Sequence, residues 1–183
     1  MKKIKLILIV VMAHLFVING INADDPKRKK RRKEGVRPVT NALYSEECGQ
    51  CHFAYPPGLL PERSWKKLIS ALNLKDHFGE ELDFTNTKKN QLLRYLVDNS
   101  ADKSSHKRSY KIDREISKSE TPIRITETKY IKSKHRKIPS RLITGNKDVE
   151  SLSNCTSCHK EAEKGIFDDD TVLIPGYGRW DDD

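Results

Sequence analysis

The four cysteines of this chain all lie in two copies of one pentapeptide, CGQCH at Cys48–His52 and CTSCH at Cys155–His159. Each copy spaces two thiols by two residues and places a histidine directly after the second. That order is the attachment signature of c-type haem: the thiols add to the two vinyl groups and the histidine is carried beneath the iron as proximal ligand. A chain that does this twice must fold around two flat macrocycles. Three blander uses of paired thiols fit less well. A single shared zinc site would have to close across the 104 residues from Cys51 to Cys155. Two local disulfides suit an exported chain but leave the repeated histidine unexplained. A thioredoxin-type pair wants a βαβ setting, and no such pattern is visible.

The N-terminus reads as an export signal. Lys2, Lys3 and Lys5 flank the start of an apolar run from Ile4 to Ile18, interrupted by His14, and Ala23 stands before Asp24. A basic start, a short apolar core and a small residue are the parts of a secretory signal peptide. The run is short of the roughly 20 apolar residues a membrane span needs; the alternative is an uncleaved anchor. The expected location is therefore periplasmic. Removing 23 of the 183 residues leaves 160, and takes three of the nine net positive charges with it. With 36% hydrophobic and 33% charged residues, the chain is lean for a core built from side chains alone. Small exported chains make up that deficit with disulfides, metals or cofactors.

The expected organisation is a signal peptide over 1–23, a basic disordered arm over 24–40, a first haem lobe over 41–100, a linker over 101–120 and a second lobe over 121–183. Lys27–Lys33, KRKKRRK, reads as a solvated arm held open by its own repulsion; contact with anionic lipid or an acidic partner is the alternative. Order is expected from near Tyr44. Trp65, Leu68, Ile69 and Leu72 follow i, i+3, i+4, i+7, one face of a helix, with Pro61 just ahead of it. A second helix is expected over 86–99, with Leu92, Leu93, Leu96 and Val97 as its stripe and Thr85 or Asn86 as cap. Residues 100–119 are polar and rich in Ser and Lys, a linker by composition. The alternation of Ile123 and Ile125 suggests a short strand or extended segment over 122–131, and Gly165 is placed to end a short helix that begins near Cys155. Acidic triplets at Asp168 and Asp181 give the C-terminal part the opposite sign to the arm.

Methionine narrows the iron ligands. Met1 and Met12 are the only two, and both lie in the signal segment, so histidine–methionine ligation, which raises the reduction potential, is excluded for the mature chain. With His52 and His159 proximal, His77, His106 and His135 remain for two distal positions. His77, 25 residues after His52, falls between the two expected helices; His135 lies 24 residues before His159. His106, in the Ser/Lys stretch, reads as a solvated surface histidine. The local pairing His52 with His77 and His135 with His159 is the economical one. A crossed pairing, a lysine ligand or an open sixth position are the alternatives.

The segments ECGQCHFAYPPGLLPERSW, DHFGE, TPIRITETKYIKSKHR and NCTSCHKEAEKGIF together resemble the bacterial dihaem cytochrome c family from about Tyr44 to Pro175. The resemblance implies a mainly α chain with much irregular structure and two small haem-binding lobes. The first lobe is similar to a small helical cytochrome c domain, and the second has little regular structure. It implies two covalently bound haem c groups with bis-histidine iron: Cys48, Cys51, His52 and His77 for the first, and Cys155, Cys158, His159 and His135 for the second. The basic arm and much of 100–119 match nothing in the family's pattern.

The expected function is electron carriage between redox partners through two low-potential haems, with no catalytic residues. A subunit role in a redox enzyme is left open. Expected partners are redox proteins, such as another cytochrome or a membrane-bound cytochrome b, with peripheral membrane contact through the arm and no nucleic acid. From the enzyme class, the competing reading is a peroxidase-like or reductase-like protein whose distal ligand can be displaced; a structural metal or disulfide module is the third. Phe53, Tyr55 and Trp65 are expected to pack a haem in preference to forming an exposed electron-entry rim.

Overall fold

In a computed structural model that describes residues 35–180, the chain is mostly helical, with seven short α-helices, several 3₁₀ turns and one small hairpin. The segment expected to be a signal peptide, the basic run Lys27–Lys33 and the acidic Asp181–Asp183 lie outside the described residues. All the described residues fall within one compact unit.

Helix α1, Ala42–Cys48, begins where the Asn41 side chain accepts from the Tyr44 amide, the usual way an Asn satisfies a free N-terminal donor. It ends on the first cysteine of the first motif, so Cys51 and His52 sit in the turn that follows. Helix α2, Glu62–Leu68, stops sooner than its apolar spacing predicts. Ser70 caps a new helix, α3, Ala71–Lys75, by accepting from the Asn73 amide. The break rotates the stripe. Trp65 and Ile69 are buried, but Leu72 is 79% exposed and Leu74 takes the inward place. Helix α4, Asn86–Asp98, matches its expectation: Thr85 caps it by accepting from Lys88 N, and Leu92 and Leu96 are fully buried. Tyr44, Leu60, Trp65, Ile69, Leu74, Leu92 and Leu96 form one core cluster.

The expected linker is not one. Residues 101–103 form a 3₁₀ turn, the Ala101 amide donates to Leu60 O, and helix α5 spans Lys107–Glu115. Ile112 is fully buried and Ile116 nearly so, and both join Val36, Leu59 and Tyr130 in a second core cluster. Polar composition misled here because α5 buries only a narrow stripe. His106 precedes the first turn of α5 and is 8% exposed, not solvated.

The expected strand over 122–131 is also corrected. Ile125–Glu127 form a 3₁₀ turn, and helix α6, Lys129–His135, follows directly. Helix α7, Cys155–Cys158, is a single turn. It places the two thiols of the second motif three residues apart on one face. A 3₁₀ turn at Ala162–Lys164 ends at Gly165, in the left-handed conformation that favours glycine at such an end (φ 75°). Strands β1, Leu173–Ile174, and β2, Gly178–Arg179, pair antiparallel with Leu173 opposite Arg179.

The segment ahead of Tyr44, read as the end of a disordered arm, is ordered from Gly35. Val36 is buried, its amide donates to Gly165 O, and Gly35 O accepts from Arg108 N. Gly35 and Gly165 are both in the left-handed region. A Cβ on Gly35 would stand 2.3 Å from Gly165 O, and one on Gly165 2.2 Å from Val36 O. The two backbones therefore approach as only glycines permit. Gly176 shares the positive φ, but a Cβ there would meet nothing within 4 Å. Gly165→Ala is thus expected to cost both the left-handed penalty of about 1–2 kcal/mol and the clash. Gly176→Ala should cost the first alone. Denaturant unfolding of the two variants measures the difference; equal losses would show that the close approach carries no energy.

Candidate haem sites

Two cavities open beside the two pentapeptides. The first is lined by Cys48, Cys51, His52, Tyr55, Trp65, Leu68, Ile69, Leu74, His77, Leu82, Phe84 and Leu96. The second is lined by Tyr130, Ile131, His135, Ile138, Leu142, Ile143, Val149, Leu152, Cys155, Cys158, His159, Phe167 and Trp180. Ile125 and Thr126 line both, so the 3₁₀ turn after Arg124 is a shared wall. His106 lines neither.

The histidines face one another in the local pairs. The His52 and His77 ring centroids are 6.4 Å apart with planes 24° from parallel. Those of His135 and His159 are 6.1 Å apart at 77°. A metal about 2 Å from one nitrogen of each of two opposed imidazoles spaces their centroids by roughly 6 Å, so each gap admits one such ion. The crossed pairing is not what the fold brings together.

Hydrogen bonding distinguishes the two rings of each pair. His52 Nδ1 lies 2.8 Å from Phe53 O, and His135 Nδ1 2.8 Å from Ile131 O one helical turn back. A carbonyl can only accept, so both Nδ1 atoms carry the proton and Nε2 keeps its lone pair for a ligand. His77 Nδ1 and His159 Nδ1 are buried without a partner. Burial, and then the neighbouring His52, lowers the pKa of His77. Burial, then His135 and Arg108, lowers that of His159 to about 4. Both shifts favour the neutral imidazole, which is the ligating form.

Burial acts on the first thiol of each motif. Burial, reinforced by Glu47, pushes Cys48 up to about 12, and burial followed by Cys158 pushes Cys155 up to about 11. Redox-active cysteines need the opposite shift. All four cysteines are unbridged. Among the described residues no three His, Cys, Asp or Glu side chains converge to hold a metal ion, so the shared-zinc use has no site.

His77 is presented by a tight turn. Its amide donates to Glu80 O at 2.6 Å, and Asp76 Oδ1 accepts from Gly79 N at 3.0 Å. Phe78, between them, has φ 58°, uncommon and strained for a bulky residue. Arg124, from the shared wall, lies over the Phe78 ring at 4.1 Å, a cation–π contact that fastens the turn. Trp65, anticipated as haem packing, is buried in the cavity wall with its indole N–H donating to Pro57 O and Leu60 O. Sequence reading missed Arg124 and Arg108; the latter lines the second cavity and donates to Tyr130 Oη and Asp168 Oδ1. No local pattern signals a contact made across 46 residues (Phe78 with Arg124) or 60 (Arg108 with Asp168).

Residues 44–167, more than half of the chain, match the dihaem cytochrome c family. A dihaem cytochrome c from Shewanella baltica OS155 is 40% identical, with a TM-score of 0.63 over 77% of this chain and 98% of its own. Dihaem cytochrome c from Rhodobacter sphaeroides is 39% identical, with a TM-score of 0.63 over 72% of this chain and 100% of its own. No curated protein matches. This chain belongs to the dihaem cytochrome c family and carries two covalently attached c-type haems.

Proposed function

We propose that the protein is a periplasmic electron carrier with two bis-histidine, low-potential sites. Cys48, Cys51, His52 and His77 hold one haem; Cys155, Cys158, His159 and His135 hold the other. The observation that carries this reading is the meeting of two imidazole pairs at 6.4 and 6.1 Å beside the two cysteine motifs. When bound, the two groups supply reversible one-electron chemistry. The chain does the rest. The paired Nδ1 protons of His52 and His135 orient those rings and raise their basicity. Apolar side chains such as Trp65, Leu74 and Leu96 line the first cavity, and Tyr130, Ile143 and Phe167 the second. Imidazole on both sides, in place of a thioether, favours the ferric state and holds the potential down.

The ring angles give this reading a spectroscopic test. Imidazoles donate to iron π orbitals in a direction set by their planes. Near-parallel rings split those orbitals, and near-perpendicular rings leave them almost equal in energy. The ferric protein is therefore expected to show two low-spin electron paramagnetic resonance signals, one rhombic from His52–His77 and one strongly anisotropic from His135–His159. Its intact mass should exceed the polypeptide by two haems. His77→Ala should remove the rhombic signal alone and His135→Ala the other, each leaving one high-spin site, while His106→Ala changes neither. If His106→Ala opens a site and His135→Ala does not, the second ligand set is wrong.

A second reading, small-ligand binding at the first site, is favoured by one observation. His77 lacks an Nδ1 partner and sits beside the strained Phe78, so it is the ligand with least support. The ferrous carbon monoxide spectrum decides between the two. A carrier should show no change, and displacement at His77 should perturb one site of two.

Partner recognition is proposed to involve the basic run Lys27–Lys33. The described residues include no helix long and apolar enough to cross a membrane. Deleting Lys27–Lys33 is expected to slow bimolecular reduction by an anionic redox partner and to flatten its dependence on ionic strength, with both potentials unchanged. Stopped-flow measurements over a salt series check this; identical slopes would leave the run as a solvated tail.

A further inference from the structure

Tyr55 joins the two sites. Its ring lies against His52, with centroids 5.0 Å apart and planes 30° from parallel. Its hydroxyl reaches across the fold to donate to Ser153 O at 2.6 Å, a bond spanning 98 residues of sequence. The same carbonyl accepts from the amide of Cys155 at 2.9 Å, the first cysteine of the second motif. Ser153 and Tyr55 both line the first cavity, and Cys155 lines the second.

Both ends of this connection are held. Tyr44 Oη donates to Tyr55 O at 2.8 Å, which fixes the tyrosine backbone. At the other end Ser153 N donates to Ser151 Oγ, the Ser151 and Ser153 hydroxyls are 2.8 Å apart, and Asn154 Nδ2 donates to Val149 O.

Electron tunnelling decays less steeply along covalent and hydrogen bonds than across van der Waals gaps. The route from the His52 ring through the Tyr55 ring and hydroxyl to Ser153 O and the Cys155 amide contains one ring contact and two hydrogen bonds. Ile125 and Thr126 also line both cavities, but Tyr55 is the side chain that touches a histidine of one motif and hydrogen-bonds beside the first cysteine of the other. We infer that Tyr55 is the positioning residue that couples the two sites, setting the rate at which an electron exchanges between them. This rests on the bis-histidine carrier reading above.

The test uses the full-length holo protein. Exchange NMR on half-reduced samples, repeated at several concentrations, isolates the intramolecular rate. Tyr55→Phe keeps the ring and removes only the hydroxyl, and Ser153 O still accepts from Cys155, so the variant should fold. Loss of the hydroxyl replaces a hydrogen bond by a through-space gap, so Tyr55→Phe should slow exchange, and Tyr55→Leu, which also removes the ring contact, should slow it further. In Tyr55→Phe both low-spin signals and both midpoint potentials should stay at their wild-type values. Wild-type exchange rates in the Phe and Leu variants would overturn the inference. So would slowing in Tyr55→Phe that comes only with altered potentials, since that marks a packing role. A wild-type protein without two low-spin signals overturns the carrier reading and this inference with it, whereas unchanged rates overturn this inference alone.

Discussion

The fold is arranged around the gaps between two pairs of imidazole rings. Helices α1 to α4 present an apolar lining to one gap, and the segments from α5 to the β-hairpin line the other. Because the linings face cavities, the side chains need not interlock through the middle of the molecule. That is how a chain with 33% charged residues forms a compact unit: each macrocycle supplies apolar surface on two faces, and short helices are enough to cover it. It also accounts for the brevity of the elements. Apart from α4, no helix among the described residues exceeds nine residues, too short for independent stability in water.

Much of the site was legible in the sequence because c-type attachment is local chemistry. The two pentapeptides, the absence of methionine after Met12 and the local histidine pairs are all read directly from the chain. Helix α4 was legible for the same reason: a cap at Thr85 and a stripe at Leu92 and Leu96 act over one element. Gly165 does end a helical turn, but a separate 3₁₀ turn at Ala162–Lys164 and not the helix begun at Cys155, which stops at Cys158. What failed shares a different cause. Leu72 looked inward until Ser70 started a new helix and turned the stripe. Residues 101–120 looked like a linker because α5 carries few apolar residues, yet Ile112 is fully buried. The alternation at Ile123 and Ile125 suggested a strand, but the segment has no neighbouring strand to pair with and serves as a wall between cavities. Gly35–Thr40 carried the composition of an arm and packs through its backbone, which composition does not report.

The two sites differ in ways that identical motifs conceal. The first motif lies at the end of a helix and in the turn beyond it, and the second occupies a single helical turn. In the first pair the ring next to the cysteines carries the backbone-supported Nδ1; in the second pair it is the opposite ring. The ring planes are near-parallel in one pair and near-perpendicular in the other. Iron chemistry in a shared pentapeptide is thus tuned by what surrounds it, through carbonyl placement and ring orientation.

The contact between Gly35 and Gly165 imposes an order of assembly. Its partners are about 130 residues apart, and such a distant pairing closes late in folding. During synthesis the first motif emerges long before Gly165 does. Until Gly165 arrives, the strap at Val36 lacks the carbonyl that its amide binds. Only when the second motif and its following turn have arrived can that strap be drawn against the C-terminal half, so a closed strap reports that both motifs are present.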